Sequence, residues 1–205
     1  MKKLTIGVVG AGIYGNYHIH TYCCDKNVER VVFCDLNEER RIATADKYQI
    51  TGYKTVKEMI AQEQLDAISI ATPDPYHFEP AKDAMEAGIK YLFIEKPLAT
   101  SVKECEELIA LAEKHGVKIS VDFHKRWDPA YNAIRDEIKK DEDTFIRGYM
   151  ALDDIIDVPR KWFTWTDKSS PAWFLGVHCY DLIRYITDSE VEKVYAVGNK
   201  EVLKK

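Results

Sequence analysis

The sequence contains no apolar run approaching the roughly 18–20 residues of a bilayer-spanning helix, so a membrane is not expected among its partners. Its first residues, MKKLTIGVVGAGIYG, place two lysines ahead of apolar residues as a signal peptide does. They lack a long apolar centre, however, and the glycines have another use, so no export signal is read there. No block of lysines and arginines occurs and the formal net charge is −5, which argues against nucleic acid or an anionic membrane as the main partner. The five cysteines, Cys23, Cys24, Cys34, Cys105 and Cys179, are odd in number and show no C-x-x-C or Cys/His cluster at zinc spacing. They are read as reduced, buried packing groups of a cytoplasmic protein, with no metal expected. Internal repeats and low-complexity segments are also missing.

What remains is an ordinary globular composition, 46% apolar and 31% charged over 205 residues, enough to bury a core. Short apolar runs at 4–9 (LTIGVV), 28–35 (VERVVFCD), 66–72 (DAISIAT), 90–96 (KYLFIEK) and 117–123 (VKISVDF) read as buried strands. Helical stretches lie between them, with start and stop signals. Asn37 precedes EERRIATADKY, Thr55 and Glu58 form a T-x-x-E box, and SVKE at 101–104 opens a helix that stops at Gly116. Strands alternating with helices of about ten residues predict a doubly wound α/β domain with a parallel sheet, placed at residues 1–122.

After residue 122 the pattern changes. Asp128 and Pro129 open a helix, TFIRGYMALD (144–153) alternates like a strand, and a polar, tryptophan-containing loop covers 153–170. A helix over 171–186 (PAWFLGVHCYDLIRYI) and a strand over VEKVYAVG (191–198) follow. Residues 123–205 therefore predict the start of an α+β domain. Two strands do not make an independently stable sheet, so the domain is expected to be incomplete and the chain to be a truncated portion of something longer.

The motif GAGIYG (10–15) is G-x-G-x-x-G between a predicted strand and a predicted helix. Gly10 permits the tight turn, Gly12 lets a pyrophosphate approach the backbone, and Gly15 lets helix and strand pack closely; the N–H groups at Ile13, Tyr14 and Gly15 face the phosphates. Asp35 falls 20 residues after Gly15, at the end of the second strand. A carboxylate there accepts hydrogen bonds from the ribose hydroxyls and repels a 2′-phosphate, so NAD is preferred over NADP, a preference that Arg40 and Arg41 soften. A glycine turn without a ligand is the plainer alternative. ATPDPYH (71–77) and EKP (95–97) also end strands at the carboxyl edge, where open α/β sheets bind ligands. From spacing alone, EKP also fits a surface turn with an exposed ion pair.

Together GAGIYGNYH, Asp35, ATPDPYH, IEKPLA and GVHCYD, in this order and spacing, closely resemble the Gfo/Idh/MocA oxidoreductase family. The likeness implies a Rossmann-type nucleotide domain followed by a mostly antiparallel sheet that roofs the substrate and carries a homo-oligomer interface. It implies that Lys96 reaches the nicotinamide region and the substrate hydroxyl, that Pro97 follows a cis bond, and that Thr72, Pro73 and His77 line the cofactor with Glu95 near the nicotinamide ribose. His124 and Arg126 become lesser cleft candidates, and His18 a residue that packs the first helix.

Moving a hydride from an alcohol carbon leaves a hydroxyl proton that a base must take, a task suited to histidine, with a desolvated lysine polarising the oxygen. The resemblance assigns these tasks to His178 and Lys96. Many dehydrogenase members hold an aspartate four residues before that histidine, where this sequence has Phe174. Asp181, three residues after His178, either substitutes in part or is a structural partner of Arg184 or Lys96. The expected function is hydride transfer between NAD and a sugar, polyol or related small hydroxylated metabolite. A dinucleotide-binding regulator without turnover, and an NAD-assisted glycoside-cleaving or lyase-like enzyme, are the alternatives. A truncated chain is expected to bind cofactor with little turnover.

Overall fold

The computed structural model describes residues 2–140 and 146–198. Its contacts group into two compact units, Met1–Phe123 with Leu152–Val177, and His124–Ala151 with His178–Lys205. No helix among the described residues is long and apolar enough to cross a membrane.

The first unit is built on β1 (Leu4–Val9), β2 (Val28–Cys34), β3 (Thr51–Tyr53), β4 (Ala67–Ile70), β5 (Tyr91–Glu95) and β6 (Lys118–Asp122). They form one parallel sheet in the order β3-β2-β1-β4-β5-β6. Side-chain alternation explains how both faces are covered. Val8, Val31 and Phe33 join Ile19 in one apolar cluster, while Val9, Val32 and Cys34 join Met59, Ile70, Met85, Ile94 and Leu108 in the other. The three-residue β3 escaped sequence reading because TGY is too short to show a period and carries a glycine.

Three of the five helices of this unit start at the predicted caps. The five are α1 (Ile13–Cys24), α2 (Glu38–Tyr48), α3 (Val56–Gln62), α4 (Phe78–Glu86) and α5 (Val102–His115). Asn37 accepts from the Arg40 N–H, Thr55 and Glu58 complete a capping box, and Ser101 accepts from the Glu104 N–H. Gly116 ends α5 in the left-handed conformation at φ +63°. Cys34 is buried, but Cys23 and Cys24, at the last turn of α1, are exposed, contrary to the packing expected of them. All five thiols are free.

The segment 152–177 of this unit is more regular than a loop alone. A π-helical turn spans Val158–Trp162 and another Ala172–Gly176. The helix expected over 171–186 is thus divided, with α-helical geometry only from Val177 to Thr187.

The second unit contains a 3-10 turn at His124–Trp127, α6 (Pro129–Lys140) and α7 (Val177–Thr187, of which His178 onward belongs here). Tyr185 of α7 donates to Asn132 Oδ1 at 2.7 Å, and Arg135 donates to the Tyr185 carbonyl at 3.0 Å with its guanidinium 4.3 Å over the ring. The strands expected at 144–153 and 191–198 do not form among the described residues; 144 and 145 lie outside these. Their apolar side chains, including Ile146, Tyr149, Val194 and Tyr195, stand exposed. A strand is held by a neighbour's N–H and C=O groups, and among the described residues neither segment has one.

The sharpest steric constraint lies in the glycine turn. A Cβ on Gly15 would sit 1.9 Å from the Gly10 carbonyl oxygen, whereas one on Gly12 meets nothing within 4 Å. Gly15→Ala is therefore expected to destabilise the chain by ~1–3 kcal/mol or more in urea denaturation. Gly12→Ala should cost under ~1 kcal/mol, set by its cap position. Equal costs would show that the close approach of helix to turn is not what holds this corner.

Candidate functional site

The carboxyl ends of β1, β2, β4 and β5 meet around the point where the strand order reverses, between β1 and β4. A cleft of ≈ 1460 Å³ opens there. Gly10, Gly12, Ile13, Tyr14, Asp35, Thr72, Pro73, Glu95 and Lys96 all line it, as sequence reasoning expected. Gly15 and His77 do not, because one lies against the Gly10 backbone and the other beneath the wall.

The glycines of the turn meet different surroundings. Gly10 adopts φ +89°, which an L side chain rarely takes, and a Cβ there would also press on the Ala71 carbonyl at 2.9 Å. Gly12 faces open space, which leaves its backbone approachable. The buried Asp35 accepts from the Ala11 N–H at 2.8 Å and the Asn37 N–H at 2.8 Å, so it braces the turn as well as facing the cleft. Both arginines that follow are folded onto this residue. Arg40 pairs with its carboxylate at 3.2 Å and Arg41 donates to its carbonyl at 3.0 Å. Burial, with help from the Asp35 charge, pushes the neighbouring Cys34 thiol up to about 12, so it is a packing group and not a nucleophile.

At the β5 end, the Lys96–Pro97 peptide is cis. The buried Lys96 donates to the Phe174 carbonyl at 3.0 Å, and its Nζ lies 4.3 Å from the centre of the Phe174 ring. His77 is held between the carbonyls of Pro97, 2.6 Å from Nδ1, and Thr72, 2.8 Å from Nε2. Burial lowers its pKa, against the pull of those two carbonyls, and the ring joins two loops. The 152–177 segment is tied to the same edge. Ser169 donates to the buried Asp74 at 2.7 Å and Lys168 to the Tyr76 hydroxyl at 3.0 Å. Its Trp162, Phe163 and Trp165 line the cleft. Sequence reading marked this stretch only as a polar, tryptophan-containing loop and named none of these residues; their signal was three aromatics within four positions of a charged stretch.

His18 does more than pack α1. Its ring lies 2.7 Å from Ser69 Oγ on β4 and 3.1 Å from Glu95 Oε1 at the end of β5, with Asp122 of β6 at 3.8 Å. Burial by itself would lower the imidazole pKa; the Asp122 and Glu95 carboxylates outweigh it and raise it to about 9.

In the second unit the structure brings together four residues that the sequence singled out. The rings of His124 and His178 meet edge-on at 4.8 Å, and His178 is buried. Asp181 commits both carboxylate oxygens to Arg126, through Nε and Nη2, and not to Arg184, which pairs with Glu190.

A family model described as "Oxidoreductase family, NAD-binding Rossmann fold" matches residues 4–123. The chain belongs to this family, Gfo/Idh/MocA. It is 29% identical over 200 residues to the uncharacterized oxidoreductase YrbE of Bacillus subtilis, covering 96% of this chain and 58% of that protein. It is 28% identical to an inositol 2-dehydrogenase/D-chiro-inositol 3-dehydrogenase of Halalkalibacterium halodurans, with 93% and 55% covered. The crystal structure of myo-inositol 2-dehydrogenase from Lactobacillus plantarum superposes with a TM-score of 0.81 at 28% identity, over 91% of this chain and 57% of that one. The chain thus spans little more than half the length of these relatives.

The raised pKa of His18 has a consequence for stability. A folded-state value of about 9 against an ordinary 6.5 means that the protonated ring stabilises the fold fully below about pH 6.5. That contribution, on the order of 3 kcal/mol, fades as the pH rises through about 9. Urea denaturation of the native chain and His18→Gln should show their stability gap shrinking across this window. A gap independent of pH would mean that the ring is held by packing alone.

Proposed function

We propose that the protein containing this chain is a dehydrogenase that uses NAD in preference to NADP to move a hydride to or from a hydroxyl-bearing carbon of a cyclic polyol, sugar or related small metabolite. The observation that carries this reading is the convergence of the glycine turn, Asp35 and Lys96 on one cleft. The cleft exceeds the roughly 300–1,000 Å³ of an ordinary small-ligand site, room enough for a dinucleotide with a substrate beside it.

The residues present fit the cofactor. The open backbone at Gly12 and the start of α1 would receive the pyrophosphate, and Asp35 the adenosine ribose hydroxyls. With Arg40 and Arg41 held by Asp35 itself, the two arginines counted against the NAD preference are engaged elsewhere, which supports it. Thr72, Pro73 and Glu95 would flank the nicotinamide end. When bound, NAD supplies the hydride acceptor or donor. Lys96 would donate a hydrogen bond from its ammonium to the substrate oxygen and stabilise negative charge as the hydroxyl proton departs. His178 would take that proton as general base, a role supported by its place in GVHCYD and its burial on α7. Asp181, paired with Arg126, supports this reading as the residue that holds the guanidinium in place. A cytoplasmic location and a homo-oligomer completed by further strands belong to the same proposal. Phe174 favours a second reading, a member that binds the dinucleotide without turnover, because phenylalanine cannot hydrogen-bond an imidazole.

Fluorescence titration of the native chain should show NADH binding tighter than NADPH. Asp35→Ser should weaken NADH binding about 10-fold to 100-fold, the loss of a hydrogen bond to a charged acceptor, and narrow the preference, with circular dichroism confirming the fold. No NADH binding by the native chain would sink the proposal. Binding without any change in NADH absorbance over a panel of inositols and hexoses, by a chain of the relatives' full length, would select the non-catalytic reading.

A further inference from the structure

The contacts of Lys96 raise a question that the dehydrogenase reading leaves open, namely what holds this ammonium in place. In the first unit its Nζ meets two different parts of one residue. The main-chain carbonyl of Phe174 accepts its proton at 3.0 Å, and the face of the same side chain lies 4.3 Å away, well inside the range of a cation–π contact. The backbone around Phe174 is suited to this. A π-helical turn over Ala172–Gly176 offsets the usual ladder and lets a carbonyl take a donor from outside the helix. The ring is held in turn, edge-on to Phe163 at 4.7 Å, and Phe163 stacks on Trp165 at 4.3 Å. The π turn, the aromatic stack and the lysine therefore form one continuous contact along the wall of the cleft.

We propose that Phe174 is a positioning residue for Lys96, which it aims into the cleft through its carbonyl and its ring face, with Phe163 and Trp165 as the backing of that ring. The role given to Lys96 rests on the dehydrogenase reading above; the positioning itself does not. The aromatic residue does this without supplying a second charge. The ammonium is oriented, and the ring face beside it is apolar surface that the C–H face of a cyclic polyol can cover.

The test compares the native chain with Phe174→Leu and the conservative Phe174→Tyr. Trace labelling with acetic anhydride, read by peptide mass spectrometry, gives the reactivity of Lys96 relative to the exposed Lys103. Phe174→Leu should raise it about threefold or more, and Phe174→Tyr should leave it within about twofold of native. In NMR spectra the Lys96 ε-methylene of the native and Phe174→Tyr chains should be displaced upfield by the ring, a displacement that Phe174→Leu abolishes. Should the leucine variant not fold, the absence of that displacement in the native chain overturns the proposal by itself. Unchanged Lys96 reactivity in a folded Phe174→Leu, with NADH binding to the native chain intact, overturns the positioning and leaves the dehydrogenase reading standing. Loss of NADH binding in the native chain overturns the dehydrogenase reading instead, while the labelling and the ring shift still decide what holds the ammonium.

Discussion

The contact between Gly15 and the Gly10 carbonyl sets the geometry on which the cleft depends. With no side chain at position 15, α1 comes down onto the turn that ends β1, closer than any Cβ would allow. That descent places the start of α1 over the carboxyl edge of the sheet, where Ile13 and Tyr14 line the cleft. Asp35 then braces the turn from the neighbouring strand by accepting the Ala11 N–H. The same carboxylate thus serves two ends, since a group that fixes the loop is also one that lines the cleft. Position 35 is restricted by the fold before any ligand is considered.

A second brace lies one strand further on. His18 reaches from α1 to Ser69 on β4 and to Glu95 on β5, so the helix that carries the glycine turn is joined to the strand that carries Lys96. A buried carboxylate without a partner costs several kcal/mol, and the protonated imidazole offsets this for Glu95 with Asp122 close by. Because Glu95 immediately precedes Lys96, the position of the lysine is tied by one residue to the position of α1. The glycine-turn end and the Lys96 end of the cleft are in this sense set by one hydrogen-bonded path.

The legibility of these features follows from their range along the chain. The strands β1, β2, β4, β5 and β6, the caps at Asn37, Thr55 and Ser101, and the glycine turn are local patterns, readable from periodicity and single residues. The resemblance then supplied Lys96, and the structure puts that residue on the cleft with the glycine turn and Asp35. What stayed hidden depends on contacts across long separations. Nothing in the run GNYH announces that His18 meets residues 51 and 77 positions away, nor that Asp181 belongs to Arg126, 55 positions before it. The expected strands at 144–153 and 191–198 show the opposite limit. Their alternation is a true local signal, but a strand needs a neighbour, and the pattern cannot say whether one is there.

Phe174 joins these two limits, because its meaning lies in what replaces an expected charge. An aspartate at this position would bring a carboxylate to where the ring now faces the ammonium. Two opposite unit charges ~4 Å apart near a protein surface attract by ~4 kcal/mol before desolvation, against ~0.5–2 kcal/mol for a cation over an aromatic face. A lysine held by the stronger contact has to give up much of it when it turns to a substrate oxygen. One held by a ring face and a neutral carbonyl gives up less at that contact, and the ring remains in place to cover the apolar side of whatever binds. The phenylalanine thus leaves the ammonium oriented by contacts weaker than an ion pair. On this balance, the dehydrogenase reading proposed above gives Lys96 an ammonium that can turn to a substrate oxygen at little cost.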